Sequence, residues 1–238
     1  MNREFKTLLI IPAYNEEDSI LSLWKNIQEY PIKYDVIVIN DGSTDATRDI
    51  CEQNGIPIIN LVHNLGIGGA VQTGYKYASE NNYDIAVQFD GDGQHDIRYV
   101  EEIIRPIKED KADLVIGSRF VTGSESTFKS SAARQIGIKI ISSMIYVVTR
   151  KKVWDVTSGF RACNKTILTQ FSRGYPIEYP EPITNTELLR KGKRVLELPV
   201  VMHERAGGNS SIHSWKNIYF MVNILLSICI IGIRRKSK

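Results

Sequence analysis

The chain has 238 residues, of which 42% are hydrophobic and 24% charged, with a formal charge of +3. That length holds one generous domain or two small ones, the composition excludes a disordered chain, and the charge is too small to argue for nucleic acid. Three cysteines, Cys51, Cys163 and Cys229, are far apart and lack CxxC spacing, which excludes a disulfide framework or zinc cage and suits a reducing compartment.

The first apolar run, Thr7–Ile11, ends at Pro12 and reads as a buried strand. No small-residue cleavage site follows it, so no secretory leader is expected and the protein is expected to stay in the cytosol. From Asp18 to Tyr30, apolar residues at Ile20, Leu23, Trp24 and Ile27 keep the spacing of one helical face. Val36–Ile39 is a second strand, followed by a Ser/Thr-capped helix ending near Gly55, and Ile56–Leu61 a third. Gly66–Gly69 reads as a flexible turn with a possible anion contact, opening a helix that ends near Asn81. Ile85–Phe89 is a fourth strand, then come an acidic turn, a helix from about Ile97 to Glu109, and a fifth strand, Leu114–Ile116.

Strand and helix in alternation predict an α/β fold, a three-layer α/β/α sandwich around a mostly parallel sheet. Ligands of such sheets sit beyond the carboxyl ends of the strands, and the chain's polar clusters fall at those ends. After Phe120 the rhythm weakens. Thr122–Ser131 reads as a mobile loop, Ala132–Thr149 as a helix, and Trp154–Arg161 as irregular chain. Thr184–Lys191 is expected to be a short helix and Val195–Val201 a strand, followed by a loop from His203 to Ser211. The catalytic domain is expected to cover residues 1–211, with residues 212–238 forming an amphipathic helix and a basic tail.

Phe89-Asp90-Gly91-Asp92-Gly93-Gln94-His95 places two carboxylates two residues apart at a strand end. Asp oxygens, a Gln carbonyl and water suit a hard divalent cation, Mg²⁺ or Mn²⁺, which neutralises charge on a departing diphosphate. A plain polar turn is the competing account. His95 reads as a solvated neighbour rather than a ligand. Pro12-Ala13-Tyr14-Asn15-Glu16-Glu17 and Asn40-Asp41-Gly42-Ser43-Thr44-Asp45 follow the first two strands. Tyr14 suits a nucleobase flank, and Asp41 suits acceptance of hydrogen bonds from base or ribose. Ser43, Thr44 and Asp45 also fit helix caps, and Glu16 and Glu17 a helix first turn. Gly66-Ile67-Gly68-Gly69 satisfies neither GxGxxG nor a phosphate-loop GK[ST].

Taken in order, these segments resemble glycosyltransferase family 2 enzymes of the GT-A fold, and within them the polyprenyl-phosphate and dolichyl-phosphate hexosyltransferases. The resemblance continues through Asn64-Leu65-Gly66, Ile116-Gly117-Ser118-Arg119, Thr157-Ser158-Gly159-Phe160-Arg161 and Glu204-Arg205-Ala206-Gly207-Gly208. It implies that Asp90, Asp92 and Gln94 form the metal and donor-phosphate site, and that Asp41, Pro12, Tyr14 and Glu16 hold the nucleoside. It implies that Arg119, Arg134 and Arg205 face donor or acceptor phosphates, where guanidinium forks pair with phosphate oxygens. Glu181, in Tyr179-Pro180-Glu181-Pro182, is the candidate on the acceptor side. Asp92, Arg119, Arg205 and Glu181 make up the expected catalytic set. Several relatives carry Asp-Asp where this chain has Asn40-Asp41.

The resemblance implies an inverting transfer of a hexose from a nucleotide-diphosphate sugar to polyprenyl phosphate. A growing saccharide is an alternative acceptor, and a nucleotide-sugar-binding membrane scaffold is the non-catalytic alternative. Nucleotidyltransferases share such sheets but carry a glycine-rich basic loop where this chain has Pro12–Glu17. Ile218–Ile233 is the most apolar segment, and as a helix it would be roughly 24 Å long against a ~30 Å hydrocarbon core. Lys216, Asn223, Ser227 and Arg234 share one stripe of it, and Arg235 and Lys236 follow. An interfacial helix, a short span and a helix packed on the domain or in a homo-oligomer are all open. The first matches a protein peripheral on the inner face of the cell membrane, touching it through residues 214–238.

Overall fold

β1 (Thr7–Ala13) is buried along its whole length, because it is an inner strand of a sheet whose two faces are covered by helices. The computed structural model describes residues 5–122, 132–202 and 214–234; for 132–134 and 214–218 it describes the backbone alone. After β1 come α1 (Ile20–Glu29), β2 (Asp35–Asn40), α2 (Thr47–Gln53), β3 (Ile58–Asn60), α3 (Gly66–Glu80), β4 (Ile85–Gln88) and α4 (Arg98–Lys108). Then follow β5 (Leu114–Ser118), α5 (Ala132–Thr149), β6 (Arg161–Asn164), α6 (Lys165–Arg173), α7 (Pro180–Arg190), β7 (Val195–Pro199) and α8 (Ser214–Ile233).

The seven strands lie in the order β3-β2-β1-β4-β6-β5-β7. β6 runs antiparallel to β4 and β5, and the remaining pairs are parallel. Alternate residues of β1 point to opposite faces, so Leu8 and Ile10 join one core and Leu9 and Ile11 the other. The first core is closed by α3, α5, α6, α7 and α8, the second by α1, α2 and α4. α8 buries Ile224 and Ile228 in the first core, so it packs on the domain.

Three expectations change. β6 and α6 cover Arg161–Arg173, where only Arg161, as the end of irregular chain, is assigned from sequence. β6 is four residues long and opens with an arginine, too short and too charged to show strand periodicity, while α6 is capped by Asn164, whose side chain accepts from Ile167 N. α7 begins four residues before Thr184, at Pro180, because proline is preorganised for a helix first turn. β3 is only three residues long.

β6 matters for the site. Arg161 pairs with Gln88 of β4 and Ile116 of β5 in register, so the antiparallel strand starts at the edge where its parallel neighbours end. The Thr157–Phe160 segment therefore meets the acidic turn.

Candidate active site

Two loops at the ends of β1 and β2 clasp each other. Asn15, in the left-handed region at φ 55°, donates its N–H to Ser43 Oγ at 3.0 Å and accepts Thr44 N at 2.8 Å on Oδ1. Glu16 N donates to Thr47 Oγ1, and Glu17 Oε2 accepts Ala46 N at 2.9 Å. Asp45 caps Thr47 N. Of the expected capping residues, Asp45 takes the N–H of the first residue of α2, whereas Ser43 and Thr44 bond to Asn15 of the other loop, and Ala46 is the N-cap of α2; Glu17 serves the N-terminus of α2, not its own helix. Asn40 is consumed internally: its amide donates to Asn60 Oδ1 at 2.8 Å and its Oδ1 accepts Ser43 N at 3.0 Å.

The clasp shapes a cavity of about 510 Å³ whose lining includes Pro12, Tyr14, Glu16, Asp41, Asp90 and Asp92. All six residues expected at the donor meet there, in a volume suited to a small ligand. Tyr14 is exposed at its mouth. Asp41 is buried and accepts Leu65 N at 2.7 Å on Oδ1; burial raises its pKa, against the pull of the Leu65 and Gly66 N–H groups. Ser19 Oγ lies 2.7 Å from Glu16 Oε2 and 2.9 Å from Gly91 O, joining the first loop to the acidic turn.

Asp90 is held from several sides. His95 Nε2 lies 3.1 Å from its Oδ2 and Gln88 Nε2 3.3 Å from its Oδ1. Burial opposes its ionisation, but those hydrogen bonds and the charge of Arg161 outweigh it and hold the carboxyl below its usual value. His95 is not the solvated neighbour expected. It is buried and stacks on Phe160, with centroids 4.9 Å apart. Asp92 is buried too and accepts Gln94 N at 3.1 Å. Gln94 stands outside the cavity lining; its backbone N–H fixes Asp92.

Among the described residues no three His, Cys, Asp or Glu side chains converge as a metal cage. Mg²⁺ and Mn²⁺ seldom need one. They are commonly held by one or two carboxylates, waters and substrate phosphates, and the two aspartates lining one cavity fit that pattern.

Glu181, in the first turn of α7, is half-buried beside this group. Burial raises its pKa and the nearby Asp90 adds to the rise, while Arg161 and Gln88 act the other way. Arg161 is fully buried, donating to Thr184 Oγ1 at 3.1 Å and to Ser158 O at 2.8 Å. Gln88, His95 and Arg161 were missed from the sequence as site residues. Arg161 was signalled by its place at the end of the Thr157–Arg161 segment and by its position between Phe160 and Ala162-Cys163, an arginine set in apolar chain.

Arg119 departs from expectation. Its Nε and NH2 fork onto Asp155 at 2.8 Å each and NH2 reaches Thr157 Oγ1 at 3.0 Å, with both charged side chains buried. A guanidinium engaged in this way ties the end of β5 to the 154–157 loop. Glu197 of β7 supports that loop, accepting Trp154 N and Asp155 N at 2.7 and 2.8 Å. Arg205 lies outside the described residues, and Arg134 is described in backbone alone, in the first turn of α5. Gly68 is no open anion turn: its N–H donates to Ile177 O, and a Cβ there would collide with Pro176 O.

The family model for glycosyl transferase family 2 matches residues 8–171, which carry the cavity, the acidic turn and β6. The chain belongs to glycosyl transferase family 2. It is a glycosyltransferase with the GT-A fold. It is 28% identical over 220 residues to an undecaprenyl-phosphate mannosyltransferase of Micrococcus luteus, covering 87% of each chain. It is 33% identical over 213 residues to a UDP-N-acetylglucosamine–dolichyl-phosphate N-acetylglucosaminyltransferase of Methanococcus voltae, covering 81% of this chain and 83% of that one. Among solved structures, the glycosyltransferase superposes with TM-score 0.69 on glucosyl-3-phosphoglycerate synthase from Mycobacterium tuberculosis, in complex with Mn²⁺, UDP-glucose and phosphoglyceric acid. That match covers 98% of this chain and 81% of the other at 17% identity, a likeness of fold.

Proposed function

We propose that this glycosyltransferase moves a hexose from a nucleotide-diphosphate sugar to a polyprenyl phosphate, with inversion and with a divalent cation. The observation that carries the reading is the meeting of Pro12, Tyr14, Glu16, Asp41, Asp90 and Asp92 around one cavity at the strand ends. The lipid-phosphate relatives from Micrococcus luteus and Methanococcus voltae, each aligned over most of its length, support the acceptor class.

Tyr14 and Asp41 hold the nucleoside, Tyr14 by its exposed ring and Asp41 by accepting hydrogen bonds in a dry setting. Asp90 and Asp92, with Gln94 beside them, would hold Mg²⁺ or Mn²⁺. When bound, such a cation would supply neutralisation of the charge that develops on the departing diphosphate. A phosphate oxygen of the lipid attacks the anomeric carbon from the face opposite the diphosphate. The C1–O bond to the diphosphate breaks with its electron pair, and nucleoside diphosphate departs. A phosphate monoester has its second pKa near ~6, so the acceptor is largely a dianion at neutral pH and needs little help from a base. Arg134 and Arg205 receive its charge, Glu181 lies on its side of the site, and Arg119 acts as a positioning residue for the 154–157 loop. The enzyme works at the cytoplasmic face of the membrane, peripheral to it and touching it through residues 214–238.

The test is a panel of nucleotide sugars with undecaprenyl phosphate or oligosaccharide acceptors, with Mn²⁺ or Mg²⁺, read by product mass. The expected product is lipid phosphate plus one hexose, released with nucleoside diphosphate. Asp92→Asn should lower that turnover about 100-fold or more. Transfer to saccharides alone overturns the acceptor reading, and an unchanged Asp92→Asn enzyme overturns the metal role.

A further inference from the structure

α5 and α8 carry an apolar surface that neither the core nor the candidate site uses. The two helices run side by side in the same direction. A Cβ on Gly137 would stand 2.5 Å from Met221 Cε, and one on Gly232 would stand 3.0 Å from Val148 Cγ2. Position 137 thus faces 221 and position 148 faces 232, the same number of residues further along each helix. A glycine at each crossing lets the backbones approach, and Ile141, Ile145, Ile224 and Ile228 lie buried beneath the seam.

Outside the seam, Ile136, Ile140 and Val147 of α5 and Val222, Leu226 and Ile233 of α8 are between 46% (Ile140) and 84% (Ile233) exposed. At ~100° per residue the α5 stripe lies within about 100° of Gly137, and the α8 stripe within about 140° of Met221. Both stripes flank the seam on its solvent side and merge into one face. Scattered exposed apolar residues need no explanation, but a contiguous face along two helices does.

Charge identifies the partner. Residues 126–154 and 206–238 carry eleven Lys and Arg and no Asp or Glu, so the rest of the chain is net negative. Lys139, Arg150, Lys151, Lys152 and Arg234 are exposed around the face. Tyr146, Trp154 and Tyr219 are exposed with them, residues suited to the boundary between headgroup and hydrocarbon. A second copy of this face would bring like charges together across the twofold. No described helix is long and apolar enough to cross a membrane, and each of these two buries one side in the domain.

We propose that α5 and α8 together form a single docking face that lies flat on a bilayer rich in anionic headgroups. Its placement explains how a lipid-borne acceptor would reach the site, and in that respect it rests on the lipid-phosphate reading. Phe220, in the leading half of α8, packs on Tyr179 with centroids 4.7 Å apart. Tyr179 is the N-cap of α7, two residues before Glu181. The leading end of the docking face therefore adjoins the acceptor side of the cavity.

The experiment floats the full-length protein with vesicles of phosphatidylcholine alone or mixed with phosphatidylglycerol, and compares it with an Ile136→Ser, Ile140→Ser, Val147→Ser variant of α5. Turnover on a water-soluble short-chain prenyl phosphate is measured in parallel. The wild type should float with the anionic vesicles and release in high salt, and the α5 variant should lose roughly tenfold or more of that binding while keeping its soluble turnover. Flotation of the variant equal to wild type overturns the proposal. So does a wild-type dimer that ignores vesicles and that the variant breaks. A separate Ile140→Trp protein guards against misfolding of the triple variant: quenching of its added fluorescence by brominated lipid chains supports the proposal, and no quenching overturns it. Vesicle binding without soluble turnover in any protein counts against the lipid-phosphate reading and supports the docking face.

Discussion

Gly159→Ala tests whether the placement of Asp90 governs turnover. A Cβ at 159 would stand 2.7 Å from Asp90 Oδ2, 3.0 Å from Oδ1 and 2.8 Å from Gln88 Nε2. Carbon–oxygen contacts become comfortable near ~3.3 Å, so the carboxylate must retreat by roughly 0.6 Å. Retreat strains its hydrogen bonds to His95 and Gln88, and His95 cannot follow freely because it stacks on Phe160. The clash falls on side-chain tips, so stability should drop only about 1–2 kcal/mol. Since a ~1 Å misplacement costs about 100-fold, turnover should fall on the order of tenfold or more. The assay is nucleoside diphosphate release across a cation titration, beside a thermal melt. A folded Gly159→Ala enzyme with wild-type turnover and cation dependence would refute the reasoning.

Other substitutions probe the supports of the site. Asp155→Ala leaves the buried Arg119 guanidinium without its carboxylate, and urea unfolding should register a loss of about 3–5 kcal/mol. Asn40→Asp removes the donor to Asn60 Oδ1 and should cost about 1–3 kcal/mol by thermal unfolding. An equally stable variant would mean that the Asn40–Asn60 bond is not needed.

Stability should also depend on pH in two senses. Burial, with Asp155 adding to it, raises the pKa of Glu197, so the folded state binds its proton more tightly than the unfolded state, and stability rises as pH falls toward the ordinary glutamate value. For Asp45 and Asp113 burial acts upward, but hydrogen bonds from Thr47 and Arg194 outweigh it and lower both. Their contribution is present above the unfolded aspartate value and lost as pH falls through the folded one. Urea midpoints against pH should therefore peak on the acid side of neutral, and Glu197→Gln should flatten the descent toward alkaline pH.

Much of the site was legible because its chemistry is local. Asp90 and Asp92 share one turn, Pro12–Glu16 and Asn40-Asp41 each follow an apolar run, and strand ends of a parallel sheet face one side. Apolar periodicity alone placed β1, β2, β4 and β5 and the main helices, and hence the three-layer fold. β6 stayed hidden because a four-residue strand led by a buried arginine has no period to read. The partners of single residues were hidden for a different reason. Whether His95 meets water or Asp90, and whether Arg119 meets a phosphate or Asp155, depends on chain segments 5 and 36 residues away. Spacing along a chain dictates which groups share a turn or a helical face. Which charge neutralises which is decided only when β6 inserts between β4 and β5 and carries Arg161, Gly159 and the Asp155 loop to the edge where the parallel strands end.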